Sequence, residues 1–260
     1  MSQNTYSSTF YKNQRKGSAS SAMKILQLVK TYIPFSSAVD IGCGVGEWLK
    51  VCSELGAEKI LGLDGSWVDQ SSLAIPSDCF HAFDLSTPIS FMEKGGFDLT
   101  ISMEVAEHIS PEKVEIYLDN VTRFSNVILF SAAIPRQGGT HHVNEQWPSY
   151  WIEKFNRRGF VPVDCLREQI WNDSSIEKHY RQNVMLFVKK DRIDNYPALR
   201  QVAEKPVLDL VHPDFWLGVS GPDKMSFMTL LKCLMGCLIF IIPAFLKAVK
   251  RRLGNSGLSS

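Results

Sequence analysis

The stretch Asp40-Ile41-Gly42-Cys43-Gly44-Val45-Gly46 decides how this chain reads. A short β run from Ala38 to Ile41 enters it, and a helical segment from Glu47 to Leu55 leaves it, closed by Gly56. A strand that turns through glycines into a helix is a ligand cradle. The glycines let the backbone approach a ligand, and the amides at the helix start face it. A dinucleotide fingerprint requires G-x-G-x-x-G. Here the third glycine comes one residue early, and Glu47 stands where that pattern places glycine. Asp40, at the strand end, would repel a pyrophosphate and suit a cation.

Outward from the loop, short apolar runs alternate with helix-period segments over residues 22–190. The runs Lys59 to Leu63, Cys79 to Phe83, Phe97 to Met103 and Asn126 to Ala132 read as strands two to five. Val114, Leu118, Val121 and Phe124 recur at helical spacing behind Ser110-Pro111, a helix-start signature. Such alternation implies parallel strands joined by right-handed crossovers. The rhythm then changes. A helix from about Pro148 to Arg158 is followed by two β runs, Phe160 to Leu166 and Asn183 to Lys189, with no standard crossover helix between them. That predicts an α/β fold whose mostly parallel sheet has an antiparallel edge.

Two further acids follow strand ends. Asp64 closes the second strand, where a carboxylate can accept from both hydroxyls of a ribose. Asp84 follows the third, placed to accept from an adenine amino group, and Trp67 is placed to pack on the adenine face. S-adenosylmethionine carries a sulfonium and an ammonium, so the glycine spacing and the acids favour this methyl donor over a nicotinamide cofactor. Residues 22–190 resemble class I S-adenosylmethionine-dependent methyltransferases. Val39 to Gly46 is similar to their first motif, Leu61-Gly62-Leu63-Asp64-Gly65 to the second, Phe83-Asp84-Leu85 to the third, and Phe97 to His108 to the fourth-strand signature. The resemblance implies a Rossmann-like, seven-stranded sheet with the last strand antiparallel and helices on both faces. It also implies that Asp64 and Gly65 border the ribose and that Asp84 and Leu85 border the adenine. The backbone of Gly42, Cys43, Gly44, Gly46 and Met103 would hold the methionine moiety.

The acceptor should enter from the same rim of the sheet. The loop after the fifth strand, Pro135 to Trp147, carries His141, His142, Asn144, Glu145 and Gln146. We expect His142 as the general base for a hydroxyl acceptor, with His141 second and Glu107 as a further catalytic candidate. Two histidines and a glutamate in that loop lack firm ligand spacing, so no metal is expected from it. The stretch from Gly138 to Trp151, with Arg181-Gln182-Asn183, resembles a methyltransferase subgroup found with bacterial surface-polysaccharide genes. That implies a sugar or lipid-linked glycan hydroxyl. Nitrogen and carboxylate acceptors, and a cofactor-binding module without chemistry, stay open.

The flanks bound the remaining functions. A net charge of +1 gives no reason to expect nucleic acid as a partner. Six dispersed cysteines without a CxxC pair suit a reducing compartment. Residues 1–21, rich in Ser, Asn and Gln and lacking an apolar run, read as a flexible lead-in without a secretory signal. Residues 191–225, with prolines at 197, 206, 213 and 222, read as an extended strap. Residues 226–253 read as an apolar C-terminal helix. Cys233 to Leu246 holds fourteen residues without a charge, and Lys247, Lys250, Arg251 and Arg252 follow. A span needs about 20 apolar residues. An interfacial anchor and a marginal span both stay open, and the basic flank favours association with an anionic membrane face, which would place the enzyme in the cytoplasm at the inner membrane face. A buried or oligomer-forming helix is the alternative.

Overall fold

The computed structural model describes residues 8–91, 94–203, 207, 209–220, 227–228, 230–232 and 234–236. Seven strands are β1 (Ser37–Ile41), β2 (Lys59–Asp64), β3 (Phe80–Ala82), β4 (Leu99–Met103), β5 (Val127–Ser131), β6 (Phe160–Val163) and β7 (Met185–Lys189). They form one sheet in the order β3-β2-β1-β4-β5-β7-β6. The first five pair in parallel, and β7 runs antiparallel to both β5 and β6. The expected α/β sheet with its antiparallel late strand is what forms.

Successive strand residues point to opposite faces, so one sequence supplies two cores. Ala38, Leu99, Ile101, Leu129, Leu186 and Val188 face α1 (Ser8–Tyr32) and α2 (Glu47–Glu54). Val39, Ile41, Ile128, Phe130, Met185 and Phe187 face α3 (Val114–Val121) and α4 (Pro148–Arg157). Every residue of β4 and β5 is buried; β5 reads as a nearly continuous apolar run, and in β4 the polar Ser102 is satisfied by the Ile41 carbonyl and the Tyr117 hydroxyl. On the second face Phe155 stacks on Phe187 with ring centroids 4.0 Å apart, and Phe130 packs edge-on against Phe155 at 5.1 Å.

Two expectations change. Residues 8–21, expected as flexible, form the first half of α1. Ala22, Ile25, Leu26, Val29 and Ile33 recur at helical spacing and are fully or almost fully buried, so tertiary packing carries the helix. The strap over 191–225 is not extended throughout. It holds a 3₁₀ turn over Lys190–Asn195 and the helices α7 (Pro197–Ala203) and α8 (Pro213–Ser220). Between β6 and β7 lie the short helices α5 (Arg167–Ile170) and α6 (Lys178–Asn183).

The chain divides into two compact units, residues 1–212 and 213–260. In the first, the strap is held down by polar contacts. Asp209 accepts from the Ser149 amide at 3.0 Å and the Ser149 hydroxyl at 2.7 Å, capping the start of α4. Arg181 Nη1 lies 3.1 Å from His212 Nε2 and donates to the Trp171 carbonyl at 3.0 Å. The second unit contains α8 and helical residues between 227 and 236 whose described apolar side chains, Phe227, Met228 and Leu234 among them, are exposed. Most of the C-terminal block over 226–253 lies outside the described residues. Among the described residues no helix is long and apolar enough to cross a membrane.

Candidate active site

The strand order reverses between β1 and β4, and the ligand crevice of an open α/β sheet lies at the C-terminal ends of the strands there. The loop from Gly42 to Gly46 sits at that point. Gly42 adopts φ +94°, and a β-carbon on it would come within 2.4 Å of Val105. Only glycine fits. A β-carbon on Gly44 would meet nothing within 4 Å, so the backbone there is open to close approach. The loop hangs from β2 through the Gly42 amide, which donates to the Leu63 carbonyl at 2.8 Å.

Asp64 locks this arrangement. Its Oδ2 accepts from the Gly44 amide at 2.7 Å and its Oδ1 from the Gly65 amide at 2.6 Å. A carboxylate has about four acceptor positions, so lone pairs remain on both oxygens for a ligand diol. Burial raises the Asp64 pKa, and the amides of Gly44 and Gly65 pull it back down in part. Asp40, 2% exposed, is held well above the usual carboxylate range by burial and by the charge of Asp64. Two buried acids beside one glycine loop suit a cation and repel phosphate. That donor set, with the open backbone at Gly44, fits S-adenosylmethionine.

The other residues expected at the cofactor spread outward. Trp67 is 77% exposed, and its indole covers the space that a side chain on Gly65 would need. Asp84 forms an exposed turn in which Oδ1 accepts from the Ser86 amide and hydroxyl, and these bonds lower its pKa. The Leu85 side chain is buried in the core, which leaves only its backbone for the expected adenine contact. Asn120 fixes the loop behind it by donating to the Leu85 and Thr87 carbonyls. Met103 ends β4 with 8% exposure, and Cys43 is also buried in the same core.

Beyond Met103 the backbone turns sharply, with Glu104 at φ +54°, a conformation disfavoured for a non-glycine residue. The turn presents the Glu104 carboxylate to two distant partners. Gln137 donates to Oε2 at 2.7 Å and Asn183 donates to Oε1 at 3.0 Å. Asn183 therefore reaches the active rim, while its neighbours Arg181 and Gln182 serve the strap. Glu104 and Gln137 are not singled out by sequence pattern. A charged residue one position past a strand end was the available signal.

The next turn of chain carries Glu107 and His108 within a 3₁₀ turn. Glu107 is fully buried, yet no hydrogen bond of good geometry reaches either of its carboxylate oxygens from the described residues. Burial and the charge of Glu104 push its pKa up to about 9. His142 Nε2 lies 4.0 Å from Glu107 Oε1, and the His142 ring meets the His108 ring edge-on with centroids 4.9 Å apart. His142 Nδ1 bonds Glu145 Oε1 at 2.9 Å. Glu145 also accepts from the amides of Arg136 and Gly138, so it organises the whole loop. Desolvation of its inner edge and the nearby His142 lower the pKa of His108. His141 is exposed at φ +61° and contributes its carbonyl, which lies 3.3 Å from His108 Nδ1.

No protein-family model matches the chain, and no curated protein matches it in sequence. Solved structures do match. Magnesium protoporphyrin IX methyltransferase (ChlM) from Synechocystis PCC 6803 with bound SAM aligns over 72% of this chain and 86% of its own, at 16% identity and a TM-score of 0.50. The same enzyme with bound SAH aligns over 72% and 90% with a TM-score of 0.49 at 13% identity. The methyltransferase domain of bacterial CtHen1-C aligns over 65% and 97% with a TM-score of 0.47 at 15% identity. The chain has the class I methyltransferase fold.

Within that fold most of the expected residues fall into two groups, with Trp67, Asp84, Leu85 and Met103 outside both and His108 joining the second. Asp40, Gly42, Cys43, Gly44, Gly46, Asp64 and Gly65 gather at the β1 and β2 ends. Glu107, His108 and His142 gather beyond β4. His141 is not brought into the second cluster by its ring, although its carbonyl is.

Proposed function

We propose that the chain is an S-adenosylmethionine-dependent methyltransferase that acts on a hydroxyl of a sugar or lipid-linked glycan. The observation that carries the cofactor is the buried pair Asp40 and Asp64 beside the open backbone at Gly44. When bound, this cofactor supplies a methyl group on a sulfonium, open to in-line displacement. The chain's own residues bind and orient. Asp64 offers its remaining lone pairs to a ribose diol, and Asp40 lowers the potential around a cationic centre.

A hydroxyl acceptor must lose a proton. In the cation-free protein His142 is the group that can take it. Glu145 accepts from Nδ1–H, which leaves the Nε2 lone pair as the base and steadies the imidazolium once formed. A small notch lined by Phe130, Trp151, Asn183 and Met185 supports a hydroxyl-bearing acceptor. Two of its lining polar atoms, Trp151 Nε1 and Asn183 Oδ1, are buried without partners among the described residues. One donor and one acceptor there match a water or a hydroxyl group. Trp147, 38% exposed at the end of the histidine loop, offers a face on which a sugar ring can stack. The basic residues at 247–252 support a lipid-linked acceptor at an anionic membrane surface.

Calorimetry with S-adenosylhomocysteine tests the cofactor. Binding that weakens at least tenfold in Asp64→Ala supports it, and binding of NADH in its place overturns it. Transfer of a radiolabelled methyl group to cell-envelope extracts tests the acceptor. A His142→Ala variant that keeps near wild-type kcat on the labelled acceptor removes His142 from the proton step.

A further inference from the structure

We infer that Glu107, His108 and His142 form a binding site for one divalent first-row transition ion. One ligand atom from each of the three residues can be chosen so that all lie within 4.8 Å of one another. Two ligands on a common ion, with bonds of about 2.0–2.2 Å, stand roughly 3–4 Å apart. The 4.0 Å from His142 Nε2 to Glu107 Oε1 is too long for a hydrogen bond and needs only a small closure around an ion.

Three features separate this cluster from an ordinary polar contact. Glu107 is fully buried, and no hydrogen bond of good geometry reaches either of its oxygens from the described residues, although the Glu107 and Ala133 amides and the Glu104 carboxyl lie nearby. A buried carboxylate so poorly partnered is costly unless a cation meets it. Both imidazoles, moreover, have Nδ1 engaged. His142 Nδ1 pairs with Glu145 at 2.9 Å, and His108 Nδ1 with the His141 carbonyl at 3.3 Å. A carboxylate or carbonyl on one ring nitrogen fixes the tautomer and leaves the other nitrogen's lone pair for a metal. Finally, Gly139 leaves room for the His142 ring, since a β-carbon there would come within 2.1 Å of Nε2. The loop is shaped around this histidine.

Two nitrogen donors and one carboxylate suit Mn²⁺, Fe²⁺, Co²⁺ or Zn²⁺ better than Mg²⁺ or Ca²⁺, which take oxygen donors. Three protein ligands leave positions open for an exogenous oxygen. With the ion seated, His142 Nε2 is committed to it. A hydroxyl bound to such an ion would be acidified and would release its proton to bulk water near neutral pH. That role rests on the methyltransferase reading; binding of the ion does not.

The test uses the full chain, stripped with a chelator and titrated with Co²⁺ and with Mn²⁺. Calorimetry gives the stoichiometry, and the visible Co²⁺ bands report nitrogen ligation. One ion per chain is expected, weakened at least 100-fold in Glu107→Gln and in His108→Ala. Glu145→Gln, which keeps all three ligands but releases Nδ1, should weaken binding about 10–100-fold. S-adenosylhomocysteine binding by each variant shows that it is folded, and failure of that binding in the parent chain would count against the cofactor reading alone. A parent that binds S-adenosylhomocysteine but no ion at millimolar concentration overturns the site. So does ion binding that is unchanged in the Glu107→Gln, His108→Ala double variant.

Discussion

Asp40 and Asp64 stand about as deep in the protein as its apolar core, and that placement has a measurable cost in the absence of ligand. The Asp40 pKa is raised by burial and by Asp64, so the folded state holds its proton to higher pH than the unfolded chain does. Its contribution to stability is therefore fully present below the unfolded pKa of about 3.9 and is lost as pH rises above that value. Asp40→Asn should raise the Tm of the ligand-free protein at pH 7 by a few degrees and flatten its decline between acid and neutral pH. The added stabilisation by S-adenosylhomocysteine should shrink in the same variant. Thermal unfolding across pH, with and without the ligand, checks both. At this scale the sequence was informative where a site is local. The glycine loop, Asp40 and Asp64 lie within 25 residues and announce themselves by spacing. The contact of Glu104 with Asn183 spans 79 positions, and that with Gln137 spans 33. No local pattern encodes them, because only the sheet order brings β4, β5 and β7 together.

Elements tell a similar story with a different cause. Strands β4 and β5 are legible because burial on both faces demands mostly apolar residues, with Thr100, Ser102 and Ser131 as their buried polar members. The N-terminal helix is not, since its first half is polar and contains Gly17, while its apolar stripe begins only at Ala22. The strap reads as extended in sequence for the opposite reason. Its prolines open helices, at Pro197 and Pro213, where a missing amide costs nothing. Asp209 joins strap to sheet by capping α4, so Asp209→Ala should cost about 1 kcal/mol. Urea unfolding should show the midpoint falling with the slope unchanged.

Over the whole molecule, one side of the sheet is closed by aliphatic contacts with α1 and α2, and the other by the aromatic group of Phe130, Trp151, Phe155 and Phe187. This second core lies beneath the histidine loop, and Trp151 belongs both to it and to the small notch. The tail is a separate matter. The compact unit ending at His212 holds every residue assigned to the cofactor or the histidine cluster. A chain ended at residue 225 should thus bind S-adenosylhomocysteine like the full chain while losing any attachment to anionic vesicles. Co-sedimentation with such vesicles decides this, and equal partitioning of the two chains would end the anchor reading.

The bond from the Gly44 amide to Asp64 has one more consequence. Because that amide already has a carboxylate to donate to, the glycine loop is held before any ligand arrives. Deuterium should enter the Gly44 and Gly65 amides slowly even in the empty protein, and ligand should slow them little further. Recognition at this loop is then a matter of filling a set mould, with association limited by encounter and not by waiting for the loop to order itself.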